Sequence, residues 1–161
     1  MKERYEREIL KIESKINPPK VDLAAEKKHS ELVRHLIIDG IINACHDVSD
    51  GGILVTLFEM CITKNTVLGC RIENSFLGNH HDYNALLFGE DQGRYIVTLP
   101  QEKAEFLIHL AFDVGVEIFR IGEIVPNQII VNGDCALVQN LQNLNDKILP
   151  QKLSLNTSDD L

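Results

Sequence analysis

Apolar residues along this chain follow two spacings, and the change from one to the other marks where elements begin and end. After Asp22, a helix-capping residue, Ala25, Leu32, Val33, Leu36 and Ile37 recur near the helical period until Gly40, which predicts a helix with one apolar face. The short β-branched run from Ile41 to Cys45 predicts a strand. Past the bend CHDVSDGG, residues 45–52, the stretch from Gly51 to Thr63 is apolar nearly all round, the mark of a helix covered on several sides.

The second half alternates again. TVLGCRIE reads as a strand, NSFLGNHHDYN as a polar loop, ALLFGEDQG as a short element ending in a turn, and RYIVTLP as a strand closed by Pro100. Ala104, Leu107, Ile108 and Ala111 place a helix from Gln101 to Asp113, with Gly115 past its end. VEIFRIGEIV and QIIVN read as two strands around Pro126 and Asn127. Leu137, Leu141, Leu144 and Ile148 stripe a last helix with Asp134 as its cap, ahead of the polar tail LSLNTSDDL.

At the front, Tyr5 to Lys15 mixes both charge signs around Ile9, Leu10 and Ile12, and the prolines of NPP at 17–19 break whatever precedes them. The expected organisation is a linker over 1–19, one domain over 20–150 and a polar tail over 151–161. Helices and strands alternate without a strict βαβ repeat. The fold class expected is therefore α+β, in α/β/α layers, with a mixed β-sheet carrying helices on both faces.

Composition narrows the function classes. A length of 161 residues with 44% hydrophobic and 25% charged residues suits a globular domain with a real core. The acidic excess, 24 Asp and Glu against 16 Lys and Arg, falls beyond residue 34, so the body of the chain is not built to grip nucleic acid. No apolar run approaches the roughly 18 residues that span a bilayer, and the charged start differs from a signal peptide, so no membrane association and a cytoplasmic location are expected. Cys45, Cys61, Cys70 and Cys135 lack any C-x-x-C spacing and read as buried thiols, neither a disulfide frame nor a zinc site.

Candidate chemistry gathers at the bend. A strand running through two glycines into a helix leaves N–H groups unpaired at the positive end of the helix dipole, a setting that receives phosphate or carboxylate. Gly51 and Gly52 lack a Cβ that would hold a ligand off, and Ser49 adds a hydroxyl. Asp47 and Asp50 would repel an anion unless one caps the helix, binds a ligand amine or hydroxyl, or holds Mg²⁺. The plainer reading is a capped tight turn.

Other candidates are weaker. His46 beside Asp47 has the look of a metal-binding dyad without the further ligands such a site needs, and His80, His81 and Asp82 are adjacent in sequence, a spacing that on a strand or loop does not turn side chains to one ion. Glu90 and Arg94, four apart in LLFGEDQGRY, read either as an ion pair fixing the turn or with Arg94 as an anion contact. Glu59, within the apolar helix, needs a partner such as Arg94 or a cleft to face. No residue has the flanking pattern of a catalytic nucleophile.

The stretch PPKVDLAAEKKHSELVRHLIIDGIINACHDVSDGGILVTLFEM, followed by LLFGEDQGRY, closely resembles the carboxyl-terminal region of phosphoribosylformylglycinamidine synthase, the glutamine-dependent enzyme of purine biosynthesis. The ordered motifs P-P-x-V-D-L, H-D-x-S-D-G-G, E-M and F-G-E-x-x-G-R cover about residues 16–98, and looser similarity extends through RIGEIV and IIVNG to the last helix.

The resemblance implies a carboxyl-terminal domain of the aminoimidazole ribonucleotide synthetase type, the last of four in the family's large subunit. It further implies that the whole enzyme uses ATP and Mg²⁺ to convert formylglycinamide ribonucleotide to the amidine, with ammonia from a glutaminase component. For this chain it implies a cleft wall shared with the remaining synthase domains, at which the ribonucleotide or a nucleotide is held, Asp47, Ser49, Asp50, Gly51 and Gly52 matching the cleft motif. His46, Glu59, Glu90 and Arg94 are structural or cleft-lining in that reading. No cofactor, metal or catalytic residue is expected of the chain itself, which would be inactive alone and, with docking surface exposed, would self-associate. Two other readings stand beside it: the equivalent domain of aminoimidazole ribonucleotide synthetase, selenophosphate synthetase or a hydrogenase maturation factor, against which F-G-E-x-x-G-R speaks, and a free-standing anion-binding module.

Overall fold

A computed structural model describes residues 21–62, 67–78, 83–91 and 93–155, with two compact units. The first takes the chain as far as Leu57 and again over Gly78–Arg120, and the second takes Phe58–Leu77 and the chain from Ile121 on. The linker expected over 1–19 and the histidine pair at 80 and 81 with Asp82 lie outside the described residues.

In the first unit helix α1 spans Leu23–Ile38, and Asp22 caps it as its sequence predicts, the carboxylate accepting from the N–H groups of Ala24 and Ala25 at 3.0 Å. Gly40, at φ +61°, closes the other end. Its N–H donates to Ile37 O and that of Ile41 to Leu36 O, which satisfies two carbonyls the helix would otherwise leave open. Strand β1, Ala44–Asp47, pairs antiparallel with β3, Tyr95–Thr98, so that Cys45 faces Val97 and Asp47 faces Tyr95. A 3₁₀ turn at Gln101–Lys103 then leads into helix α5, Ala104–Asp113.

The core of this unit is the seam between α1 and α5: Leu32 and Leu36 meet Leu107 and Ala111, and Ile41, Ile42, Val97, Leu99 and Val116 pack around them. The strand expected from Ile41 starts three residues later, because Ile41 and Ile42 are spent on this seam while β1 carries His46 and Asp47 to its end. Helix α2, Gly52–Cys61, starts in this unit, and helix α4, Tyr83–Phe88, occupies residues expected partly as loop.

The second unit holds a four-stranded sheet in the order β4-β2-β5-β6, where β2 is Leu68–Ile72, β4 Gly122–Pro126, β5 Gln128–Val131 and β6 Asp134–Leu137. β2 runs parallel to β5 and antiparallel to β4, and β5 antiparallel to β6. The α+β class and the mixed pairing hold, while the strands divide between two sheets.

Three boundaries differ from the sequence reading. Asn74–Leu77 forms a helical turn, α3, in the expected polar loop. Of VEIFRIGEIV only the end is strand, since Val116 and Ile118 serve the first unit's core. Asp134 opens β6, opposite Val131, and does not cap the last helix; α6 begins at Val138, whose N–H donates to Asn127 O, and runs to Leu155, past the start of the expected tail.

Candidate functional site

Strand β1 delivers the bend, and the residues around FGEDQGR receive it. One position beyond the β1–β3 ladder the N–H of Val48 donates to Arg94 O at 2.9 Å, so the bend leaves its strand just where Arg94 precedes β3. The N–H of Gly52 then folds back to Ser49 O at 3.1 Å. The N–H of Gly51, at the positive end of α2, donates to Glu90 Oε1 at 3.0 Å. An anion expected at a helix N-terminus is therefore present, and the chain supplies it. Thr56, 1% exposed, donates its hydroxyl to Gly52 O at 3.0 Å and so anchors the first turn of α2.

The two glycines are needed for close approach within the chain. Both lie in the left-handed region, at φ +83° and +71°. A Cβ on Gly52 would stand 2.6 Å from Leu87 O, 2.7 Å from the Phe88 carbonyl carbon and 2.8 Å from Gly89 O; one on Gly51 would stand 2.4 Å from Val55 Cγ2. The space that sequence reasoning reserved for a ligand beside Gly52 is filled by the backbone at the end of α4 and by Gly89.

Arg94 does not pair with Glu90. Its guanidinium donates to Gly89 O and Asp91 O, the latter at 3.3 Å, and lies 3.7 Å from Asp91 Oδ2. A guanidinium that organises the carbonyls of its own turn leaves Glu90 to reach Gly51. Helix α1 touches the same turn: His29 Nδ1 bonds Gly93 O at 2.7 Å, and the Glu26 stem lies against Gly93.

What remains outward is a set of side chains. Asp47, Ser49 and Asp50 are exposed, and His46 is half-buried with Nδ1 bonded to Asp47 O at 2.7 Å and 3.6 Å from Asp47 Oδ1. Two carboxylates and a hydroxyl accept hydrogen bonds from ligand hydroxyls or amines and do not by themselves attract phosphate. Burial first, and the nearby Asp47 charge second, push the Cys45 thiol above its ordinary range. Glu59 is exposed, where a carboxylate in an apolar helix meets no burial penalty. Among the described residues no three His, Cys, Asp or Glu side chains form a metal-binding group.

Sequence reasoning missed His29, Val48 and Thr56. Val48 and Thr56 contribute through backbone or a local helical bond, and no spacing signals that His29 would reach across to Gly93. Of the cysteines expected to be buried, Cys61 and Cys70 are, Cys45 is half-buried and Cys135 is exposed, because β6 is an edge strand and turns it outward.

Residues 4–132 match the family model of the AIR synthase related protein, C-terminal domain. The phosphoribosylformylglycinamidine synthase subunit PurL of Allorhizobium ampelinum is 37% identical over 133 residues, 82% of this chain and 17% of that protein. The PurL subunit of Rhodospirillum rubrum is 42% identical over 116 residues, 72% of this chain and 15% of its own length. The chain thus spans less than a fifth of these curated relatives. Among solved structures, T. maritima PurL complexed with FGAR superposes with a TM-score of 0.62 at 22% identity, over 75% of this chain and 21% of that one. The hydrogenase maturation protein HypE gives 0.51 at 20% identity, over 67% and 40%. These likenesses show a shared fold.

Proposed function

Because the chain belongs to the AIR synthase related family, as its C-terminal domain, we propose that it serves as the carboxyl-terminal domain of a phosphoribosylformylglycinamidine synthase. The observation that carries this is the convergence, within one compact unit, of the three stretches that define the resemblance. VDLAAE supplies Asp22, Glu26 and the start of α1, HDVSDGG supplies the bend, and FGEDQGR supplies Glu90 and Arg94. A generic strand-to-helix turn needs no carboxylate from a distant loop to hold it.

In this role the domain contributes one wall of a cleft in which formylglycinamide ribonucleotide or a nucleotide is held, and other domains contribute the rest. Glu90, Arg94, Gly51 and Gly52 set the shape of the wall, and Asp47, Ser49 and Asp50 accept hydrogen bonds from ligand hydroxyls or amines. ATP and Mg²⁺ belong to the whole enzyme. Asp47 and Asp50 are hard oxygen donors suited to a Mg²⁺ already carried on phosphates, and two exposed carboxylates are too few to keep a resident ion. Activity then requires the remaining synthase domains and a glutaminase source of ammonia. The outer face of α5, with Phe106 and Phe112, the latter 82% exposed, is the kind of surface that those domains would cover and that would draw isolated chains together.

Titration calorimetry tests the reading, using formylglycinamide ribonucleotide and, separately, Mg-ADP, with the chain alone and with the remaining synthase domains added. Binding that appears only after the other domains are added is expected of a shared cleft. Full-strength binding to the isolated chain would make it a self-sufficient anion module. No binding in either setting would leave the bend a structural turn and overturn the assignment of Asp47, Ser49 and Asp50.

A further inference from the structure

Glu26 and His29, one helical turn apart on α1, both meet Gly93: the Glu26 stem lies against it, and His29 Nδ1 bonds Gly93 O at 2.7 Å. A carbonyl oxygen only accepts, so Nδ1 carries the proton and donates. The carbonyl one residue on, Arg94 O, accepts from the N–H of buried Val48 at 2.9 Å. Adjacent carbonyls therefore hold α1 on one side and the bend on the other, while Glu90 of the same turn holds the Gly51 N–H at 3.0 Å.

We propose that His29 is a positioning residue for the exposed acceptors of the bend. Its N–H fixes Gly93, Gly93 fixes where Arg94 O and Glu90 stand, and these fix Val48 and Gly51. Ser49 and Asp50 lie between those two anchors in the chain and Asp47 directly before them, all three exposed. The far end of the relay is firm. His29 shares a face of α1 with Leu32 and Leu36, which the core holds against Leu107 and Ala111.

The neighbouring groups define what His29 adds. Arg94 closes the turn on itself, through Gly89 O and Asp91 O, and His29 ties the closed turn to α1. The imidazole is half-buried and has only two side-chain torsions to order, so holding this geometry costs less entropy than a long amide or amine side chain would. The effect on a ligand rests on the shared-cleft reading, in which Asp47, Ser49 and Asp50 meet the ribonucleotide; the hold on the bend rests on the contacts themselves.

The test compares His29→Leu, which keeps a helix-forming residue but has no donor, with His29→Asn, whose side-chain amide places an N–H near the position of Nδ1. Amide hydrogen exchange of the full chain reads the hold on the bend. His29→Leu should raise exchange at Val48 and Gly51 by roughly 3- to 10-fold, as loss of one hydrogen bond does, with Leu36 unchanged, and His29→Asn should restore most of the protection. Titration calorimetry with formylglycinamide ribonucleotide, the remaining synthase domains added, reads the effect on the ligand: the dissociation constant should rise by a similar factor in His29→Leu and return in His29→Asn. Unchanged exchange at Val48 and Gly51 in His29→Leu would overturn the proposal. So would an Asn variant that behaves like the Leu variant, which would make His29 a packing residue, and so would ribonucleotide affinity that holds steady while exchange rises. If the unaltered chain binds no ribonucleotide with the other domains present, the cleft reading has failed, and exchange alone decides whether His29 places the bend. If the His29→Leu protein does not fold, His29→Ala takes its place in both measurements.

Discussion

Substituting Gly52 by Ala isolates what holds the bend. The added methyl would stand 2.6 to 2.8 Å from three main-chain atoms at Leu87, Phe88 and Gly89, none of which can swing away as a side-chain tip could. Overpacking of this kind costs about 1 to 3 kcal/mol, and holding a non-glycine residue at φ +71° adds about 1 to 2 kcal/mol. Restricting the unfolded chain returns about 0.4 to 1 kcal/mol, so the net loss is about 1 to 5 kcal/mol, centred near 3. At roughly 2 to 4 °C per kcal/mol for a chain of this size, the central value lowers the melting temperature by roughly 6 to 12 °C. Gly40→Ala is the matched control: it lies at φ +61° with nothing within 4 Å of the added carbon, and should lose less than about 1.5 kcal/mol. Thermal and urea unfolding of both variants, followed by circular dichroism, gives the comparison. If Gly52→Ala lost no more stability than Gly40→Ala, the contact with the backbone at the end of α4 would not be the reason for glycine at 52.

Three further outcomes follow from the same contacts. Glu90→Ala leaves the Gly51 N–H without its carboxylate and should cost about 1 to 2 kcal/mol, with Glu90→Gln recovering part of that; equal losses in urea unfolding would mean that the acceptor oxygen contributes nothing. Asp22→Ala removes the acceptor for two α1 amides and should cost about 1 kcal/mol, against little change for Asp22→Asn, which also caps. The Cys45 thiol is held above its ordinary range, so it contributes stability at neutral pH that is lost as pH rises from the ordinary thiol value, about 8.5, through the raised one. Cys45→Ala should therefore flatten the alkaline fall in stability, and an unchanged slope above that pH would show that this thiol is not its cause.

The elements were legible where one physical signal acted alone. Asp22 and Gly40 bracket α1 as written because capping and the left-handed closing turn are local, and Leu32, Leu36, Leu107 and Ala111 form the core because helical spacing exposes them on one face. The misses lie where tertiary packing outweighed pattern. Ile41, Ile42, Val116 and Ile118 are β-branched and look like strand, yet they surround the α1–α5 seam. Asp134 looks like a helix cap, yet it pairs with Val131 because β5 still lacks a neighbour on that side.

The bend was half legible for a related reason. Two glycines, a positive helix end and a requirement for an anion can all be read within eight residues, and each of those features is real. The identity of the anion cannot, because Glu90 is brought there by the pairing of β1 with β3. That pairing also resolves the apparent conflict of placing Asp47 and Asp50 beside an anion site. The amide of Gly51 is already satisfied from within, so the exposed carboxylates need not share the bend with a bound phosphate. In the proposed role, a ligand phosphate would take its positive partners from neighbouring domains, which is what one wall of a shared cleft, as opposed to a complete site, requires.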